Sequence, residues 1–137
     1  MVRFGNFEVE YNRNAPDKVS VRIETDDKGE VWLPKCDIAR AYGVFVQSVN
    51  AGLKSLAKTG DFDEYRDVRV EHFTYNGKDC SVDLYSLETI IALGFRMKGL
   101  KCEAFRKWAA RRLAESFEKK KSTVIICMSG EKRNNWN

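Results

Sequence analysis

The segment 33–56, LPKCDIARAYGVFVQSVNAGLKSL, constrains the fold of this chain more than any other stretch. Apolar residues recur at helical spacing on both sides of Gly43, and the small residue Ala39 lies where two helices would cross closely. Glycine accepts the positive φ that a tight turn between helices requires. The spacing predicts a helix-turn-helix with helices near 35–42 and 46–58. The inward positions are Ile38, Ala39, Tyr42, Val44, Val49 and Leu53.

The outward face of the second predicted helix would meet a ligand, which in a DNA-binding protein is the major groove. The residues expected there are Phe45, Gln47, Ser48, Asn50, Ala51 and Lys54. Gln47 and Asn50 carry amides that can make bidentate contacts to bases. Phe45 stands where a polar N-cap is expected, and Gly52 inside a helix costs roughly 0.5–1 kcal/mol relative to alanine. A purely structural pair of helices has the same apolar pattern, so both interpretations stay open.

Residues 66–75 and 79–85 form the clearest hairpin in the sequence, because Asn76-Gly77 is the favoured two-residue type I′ turn. A hairpin directly after a helix-turn-helix is the layout of a winged helix, and Lys78 at its tip can contact a phosphate. A plain hairpin is the alternative. The inner face is expected to hold Val68, Val70, Val82 and Leu84, with His72 as a packed structural histidine.

The N-terminal part of the chain has β-strand character. Residues 4–11 and 18–24 are predicted strands, and apolar and polar residues alternate at period two in the second of them. A turn at 26–29 is followed by the apolar run 30–33. We therefore expect an N-terminal hairpin in which 30–33 returns against 18–24.

Two further helices are predicted after the hairpin. Ser86 fits the N-cap of a helix at 87–93 that Gly94 ends, and a longer helix runs from Leu100 to about Lys120. The side chains expected to pack together across them are Trp108, Phe105, Ile90 and Ile91. The fold class is therefore α+β: a winged-helix-like helix-turn-helix domain with an N-terminal hairpin and a C-terminal helical hairpin.

Charge is distributed unevenly along the chain. Residues 96–121 hold ten basic and three acidic residues, whereas residues 1–95 hold 12 basic and 16 acidic ones. Such asymmetry favours a basic face for an anionic partner, although a solvated helix face has the same composition. The candidate phosphate contacts in this segment are Arg106, Lys107, Arg111 and Arg112.

The sequence contains no glycine-rich phosphate loop, zinc-protease motif or acyl-transfer elbow. The four cysteines are too far apart for a zinc knuckle and are interpreted as reduced thiols: Cys36, Cys80, Cys102 and Cys127. An acidic run is interpreted as a solvated loop, because it lacks the glycine of a calcium loop: Asp61, Asp63, Glu64 and Asp67. We expect no enzymatic activity, catalytic residue, metal, cofactor or small-molecule ligand.

Apolar runs are short throughout the chain. None approaches the ~20 residues of a transmembrane helix, and the first ten residues lack the apolar centre of a signal peptide. We therefore expect a cytoplasmic protein with no membrane partner.

A set of landmarks occurs in order within residues 18–117. They are Val31-Trp32-Leu33, Ile38-Ala39, Tyr42-Gly43-Val44, Asn76-Gly77-Lys78, Leu84-Tyr85-Ser86-Leu87, Ile90-Ile91-Ala92-Leu93-Gly94-Phe95-Arg96 and Phe105-Arg106-Lys107-Trp108-Ala109. Their order and spacing resembles the N-terminal region of the RhuM (virulence protein) family and, more remotely, the N-terminal domains of phage antirepressors of the Bro-N and KilA-N types. The resemblance implies a protein of phage-like or mobile elements that binds DNA through its helix-turn-helix.

The sequence therefore predicts one winged-helix-like domain over residues 1–121, followed by a short strand-like segment and tail at 122–137. The expected partner is double-stranded DNA, and the expected role is that of a transcriptional regulator or antirepressor-like protein. A homodimer is expected through the apolar face of 100–120 and the strand-like segment. The alternative is a protein-interaction module in which exposed Phe45 and Val46 dock on another protein.

Overall fold

The computed structural model describes residues 4–12 and 14–120 of the chain. In that part the fold is α+β, with five helices and two small antiparallel sheets. The strands are β1 (Asn6–Asn12), β2 (Ala15–Glu24), β3 (Trp32–Leu33), β4 (Val68–Tyr75) and β5 (Lys78–Ser86). The helices are α1 (Lys35–Tyr42), α2 (Val46–Lys58), α3 (Glu64–Asp67), α4 (Leu87–Arg96) and α5 (Leu100–Lys120). The predicted segment at 122–137 lies outside the described residues.

The strand predicted at 18–24 pairs with a different strand from the predicted one. β2 pairs with β1, and β3 pairs with β5 in a sheet of order β3–β5–β4. The predicted turn does form, because Asp26 Oδ1 accepts the backbone N–H groups of Lys28 at 2.9 Å and Glu30 at 2.8 Å. The pairing of 18–24 with 30–33 is wrong. Alternation at period two identifies a strand but does not specify which strand it pairs with.

The helix-turn-helix prediction is confirmed for the helix boundaries and for the turn. Gly43 has φ 65° and ψ 36°, the left-handed conformation expected of it. Its N–H donates to Arg40 O at 3.2 Å, and the N–H of Val44 donates to Ala39 O at 3.0 Å. These bonds end α1, and the half-buried Val44 packs against the core beside α2.

Gly52 allows α2 and α4 to pack closely. A Cβ atom added at Gly52 would lie 2.7 Å from Leu93 Cδ2 and 3.4 Å from Met97 Cγ. Leu93 is fully buried, so it has little room to move away. Gly52 lowers the intrinsic stability of α2 as a helix. Its lack of a side chain nevertheless allows α2 to pack directly on α4.

The hairpin of β4 and β5 has the predicted turn but not the predicted inner face. Asn76 and Gly77 have φ values of 51° and 74°, as a type I′ turn requires. Val68 lies opposite Tyr85, whereas Leu84 lies opposite Arg69. Directly opposed residues share a face, so Val68 and Leu84 are on opposite faces. The reason is the two-residue turn, which pairs even positions of β4 with odd positions of β5. His72 is exposed, so its prediction as a packed residue is also wrong.

Asp67 is a buried structural carboxylate, which corrects the interpretation of its acidic segment as fully solvated. It is only 1% exposed, at the end of α3. Its oxygens accept hydrogen bonds from Ser86 Oγ, from the N–H of Asp63 and from Arg66 Nη2, each at 3.0 Å. Ser86 Oγ also accepts the N–H of Thr89 at 3.3 Å, which confirms Ser86 as the N-cap of α4. The cluster joins the start of β4 to the start of α4.

Asp67 should make the stability of the protein sensitive to acid. Burial alone would raise the pKa of Asp67, but the hydrogen bonds and charge of Arg66, with the donors from Asp63 and Ser86, hold that pKa below its ordinary 3.8. A carboxyl group whose pKa is lower in the folded than in the unfolded protein stabilises the fold at pH values above its unfolded pKa. This contribution is lost as the pH falls through the folded pKa. We expect Asp67→Asn to unfold more easily at neutral pH and to lose less stability between pH ~5 and ~2 than wild type.

Urea denaturation across that pH range checks this expectation. Arg66→Ala keeps the carboxylate but removes its cationic partner, so the pKa of Asp67 in the folded protein should rise and the stability lost in acid should be smaller than in wild type. Parallel pH curves for wild type and Asp67→Asn would show that Asp67 contributes nothing through its charge.

Aromatic rings join the N-terminal hairpin to the helices. Phe7 of β1, Tyr42 of α1 and Phe105 of α5 are buried with ring centroids 5.4–5.7 Å apart. Tyr42 Oη donates to Ile90 O at 2.7 Å, and burial raises the pKa of Tyr42, so the hydroxyl stays a donor.

α4 continues through Gly94 to Arg96, so the prediction that Gly94 ends this helix is wrong.

Candidate nucleic-acid interface

The outward face of α2 presents polar and basic side chains on a rigid helix. Gln47, Ala51 and Lys54 are exposed, and Phe45 at the N-terminus of the helix is 80% exposed. The 13 residues of α2 include no acidic residue. Phe45 makes no side-chain capping hydrogen bond, because its side chain has no acceptor atom. Its ring extends into solvent. This face is therefore accessible to an anionic surface.

Two other predicted residues of α2 are less accessible. Ser48 is half-buried, and Asn50 is half-buried in the wall of a groove between α2 and the β4–β5 hairpin. Asn50 Oδ1 is shielded from solvent and has no hydrogen-bond partner among the described residues. The structure thus places Gln47 and Lys54 outward and turns part of Asn50 toward the hairpin.

The groove beside Asn50 has a volume of about 710 Å³ and mixed charge. Two lysines and two carboxylates line it. Its charged lining residues are Lys35, Lys54, Glu64 and Asp83, and its apolar floor includes Leu53, Phe62, Val68 and Tyr85. Because the carboxylates would repel phosphates, the groove itself is a poorer DNA surface than the outer face of α2.

The tip of the hairpin carries the predicted cation and two aromatic rings that the sequence did not indicate as exposed. Lys78 is exposed, and Phe73 and Tyr75 are 48% and 65% exposed. Tyr75 lies directly opposite Lys78, so ring and cation share one face. The sequence did contain a signal for this arrangement. A two-residue turn fixes which residues of the two strands lie opposite each other and therefore share a face.

Basic side chains proposed on α5 make contacts within the chain. Arg106 Nη1 donates to Gly94 O at 3.0 Å and to Met97 O at 2.9 Å, where it satisfies carbonyls at the end of α4. Lys107 Nζ lies 3.1 Å from Glu103 Oε1, and the Arg112 guanidinium lies 5.7 Å from the centroid of the Trp108 ring. Arg111 is exposed. Arg106 in particular has a structural role that its sequence pattern did not show.

The start of α5 approaches the turn between α1 and α2. A Cβ atom at Gly43 would lie 3.4 Å from Lys101 Cδ, and one at Gly99 would lie 3.6 Å from Val44 Cγ1. Farther along, α5 packs against α4 and the β1–β2 hairpin. Lys101 is therefore the α5 cation that the structure places beside the helix-turn-helix, although the charge pattern alone did not single it out.

Arg96 holds the C-terminal end of α2 in place. Its guanidinium donates to Ser55 Oγ at 2.8 Å, to Thr59 Oγ1 at 3.0 Å and to Asp61 Oδ2 at 3.3 Å. These bonds connect the end of α4 to the end of α2 and so help to fix the orientation of the outward face.

No helix within the described ranges has both the length and the apolar character that crossing a membrane requires. The same ranges contain no group of three or more His, Cys, Asp or Glu side chains placed to hold a metal ion.

In the comparisons with known proteins, no family model, curated protein or solved structure matches this chain.

Proposed function

We propose that this chain is a non-enzymatic DNA-binding protein in which the outward face of α2 enters the major groove. The order of its elements supports a winged-helix-like arrangement. The helix pair α1–α2 is followed by the β4–β5 hairpin, and β5 pairs with β3, the strand that precedes the helix pair. In such an arrangement the hairpin acts as a wing, and Lys78 at its tip contacts a phosphate.

The observation that carries this proposal is the exposed, acid-free face of α2. Gln47 can make bidentate contacts to adenine, and Lys54 can bind guanine or a phosphate. Phe45 and Ala51 can make apolar contacts with a thymine methyl group, and this contact would account for the exposed position of the Phe45 ring. The side chain of Lys101 lies beside Gly43 in the turn between α1 and α2.

The proposed role is that of a transcriptional regulator or antirepressor-like protein of a phage-like or mobile element. This part of the proposal rests on the resemblance of residues 18–117 to the RhuM family. Arg111 and Lys107 on α5 would add phosphate contacts in a larger footprint, because both side chains are exposed. Phosphate contacts of this kind position a protein on DNA without specifying its sequence.

Duplex binding measured by fluorescence anisotropy at two salt concentrations tests the proposal. Between about 50 and 200 mM salt we expect the affinity of wild type for a random duplex to fall roughly 10–100-fold, because each phosphate contact releases counterions. Lys54→Glu should weaken binding at low salt and make the salt dependence shallower by about one unit of slope.

Lys28→Glu is the matched control, because Lys28 is an exposed lysine on the turn before β3. It should bind DNA as wild type does. Equal losses for Lys28→Glu and Lys54→Glu would indicate general charge attraction and contradict a specific role for α2. A wild-type protein that does not bind duplex at low salt would overturn the proposal.

A protein-interaction role is the second candidate, and the exposure of Phe45 together with the 39% exposed Val46 favours it. Adjacent apolar side chains at a helix N-terminus can dock on another protein. Binding through such a surface would respond little to salt, whereas DNA affinity falls steeply with salt. Phe45→Ser would abolish that interaction while leaving the electrostatic part of DNA binding in place.

A further inference from the structure

β4 is a long strand at an unprotected sheet edge. In the part of the chain that the structure describes, its sheet has the order β3–β5–β4, so one edge of β4 has no strand beside it. The eight residues VRVEHFTY contain neither proline nor lysine, and their pairing with β5 shows no register shift. Proline, lysine and bulges are the devices that usually prevent an edge from pairing with another chain.

The hairpin geometry defines which backbone groups are free to pair at this edge. Tyr75 and Lys78 flank the two-residue turn, so they form a hydrogen-bonded pair, and such pairs alternate along the ladder. Glu71 and Phe73 thus keep their backbone N–H and C=O groups toward β5. The groups that point away from β5 belong to Val68, Val70, His72 and Thr74.

We propose that a second copy of this chain occupies this edge, with the two β4 strands antiparallel and Val70 opposite the partner's Val70. The charges on the strand favour this register. It sets Arg69 opposite the partner's Glu71, and the twofold axis repeats the pair. Centring the pairing on Arg69 or on Glu71 instead would bring two like charges face to face, which is destabilising.

The groups at the proposed interface are already in place. Arg69 lies 3.3 Å from Glu71 and stacks at 5.7 Å from the rings of both Phe4 and Trp32, so its guanidinium is held on the sheet face opposite to that of Val70. The Val70 side chain is 49% exposed, and pairing would bury it against its equivalent. The two sheets would then form one continuous sheet across the axis, with the valine pair on one face and the complementary charge pairs on the other.

Charge reversal on the full-length chain tests the pairing, with sedimentation velocity as the measurement. Arg69→Glu makes the edge wholly acidic, and Glu71→Arg makes it wholly basic. We expect wild type to be dimeric and each variant alone to be monomeric. An equimolar mixture of the two variants should form a heterodimer, because each acidic residue then meets a basic one. The double variant R69E/E71R should dimerise again. Repair of contacts within one chain cannot explain recovery on mixing.

Further variants keep the result decisive. Val70→Lys places two lysines on the axis and should give a monomer whose circular dichroism matches wild type. Arg22→Glu on β2 is the control and should leave the dimer intact. A monomeric wild type, single variants that remain dimeric, or a mixture that fails to associate would each overturn the proposal. Dimers that persist in all variants would instead place the contact elsewhere, such as the C-terminal region indicated by the sequence.

Discussion

Phe105→Ala should lower the free energy of unfolding by about 3–5 kcal/mol, the range for removing a large buried aromatic side chain. The Phe105 ring is 2% exposed and lies 5.7 Å from Phe7 and 5.6 Å from Tyr42, measured between ring centroids. It therefore joins α5 to β1 and α1. Its loss would leave a cavity where three elements meet, and the rigid neighbouring rings cannot collapse to fill it.

Two neighbours of Phe105 provide graded controls in urea denaturation. Trp108 stacks on Phe105 at 6.1 Å but is only half-buried, so Trp108→Ala should cost less than Phe105→Ala. Phe95 also contacts Phe105, at 5.7 Å, but is 51% exposed, so its replacement by alanine should cost least. Similar losses for all three variants would mean that Phe105 is not the centre of the cluster.

Gly94→Ala should be destabilising by about 1–3 kcal/mol, although alanine favours a helix over glycine by about 1 kcal/mol. The added Cβ would lie 2.6 Å from both Phe105 Cδ2 and Tyr42 Oη. Both atoms belong to rigid, buried rings, so the backbone of α4 would have to move away. That movement would also strain the hydrogen bond from Tyr42 to Ile90. Thermal denaturation measures the change.

A double-mutant cycle separates this clash from other effects of the substitution. Phe105→Leu makes space at the position that the new methyl group needs. The two substitutions together should therefore cost at least about 0.5 kcal/mol less than the sum of their separate costs. Strict additivity would show that Gly94 matters for a reason other than its contact with Phe105.

The aromatic cluster also bears on the proposed DNA interface. Tyr42 lies at the end of α1, directly before the turn that begins with Gly43. Phe105 and Gly94 fix the position of Tyr42, while Gly52 and Arg96 fix α2 on α4. The outward face of α2 is thus supported at both ends, which a preorganised recognition surface requires.

Features that depend on a few neighbouring residues follow from the amino-acid sequence alone. The bounds of α1 and α2 follow from apolar spacing around Gly43, whose turn demands positive φ. The type I′ turn follows from Asn76-Gly77, and the start of α4 follows from the Ser86 cap. Each signal acts within about one turn of the chain, so the local residues suffice to specify it.

The tertiary structure establishes which distant residues meet. It paired β2 with β1, buried Asp67 beneath Ser86, and used Arg106 to satisfy the carbonyls of Gly94 and Met97. It also made Gly52 a packing contact and turned Asn50 partly into the groove. A periodic pattern states which face of an element is apolar but not which partner covers it. That choice depends on how all the faces fit together at close-packed density.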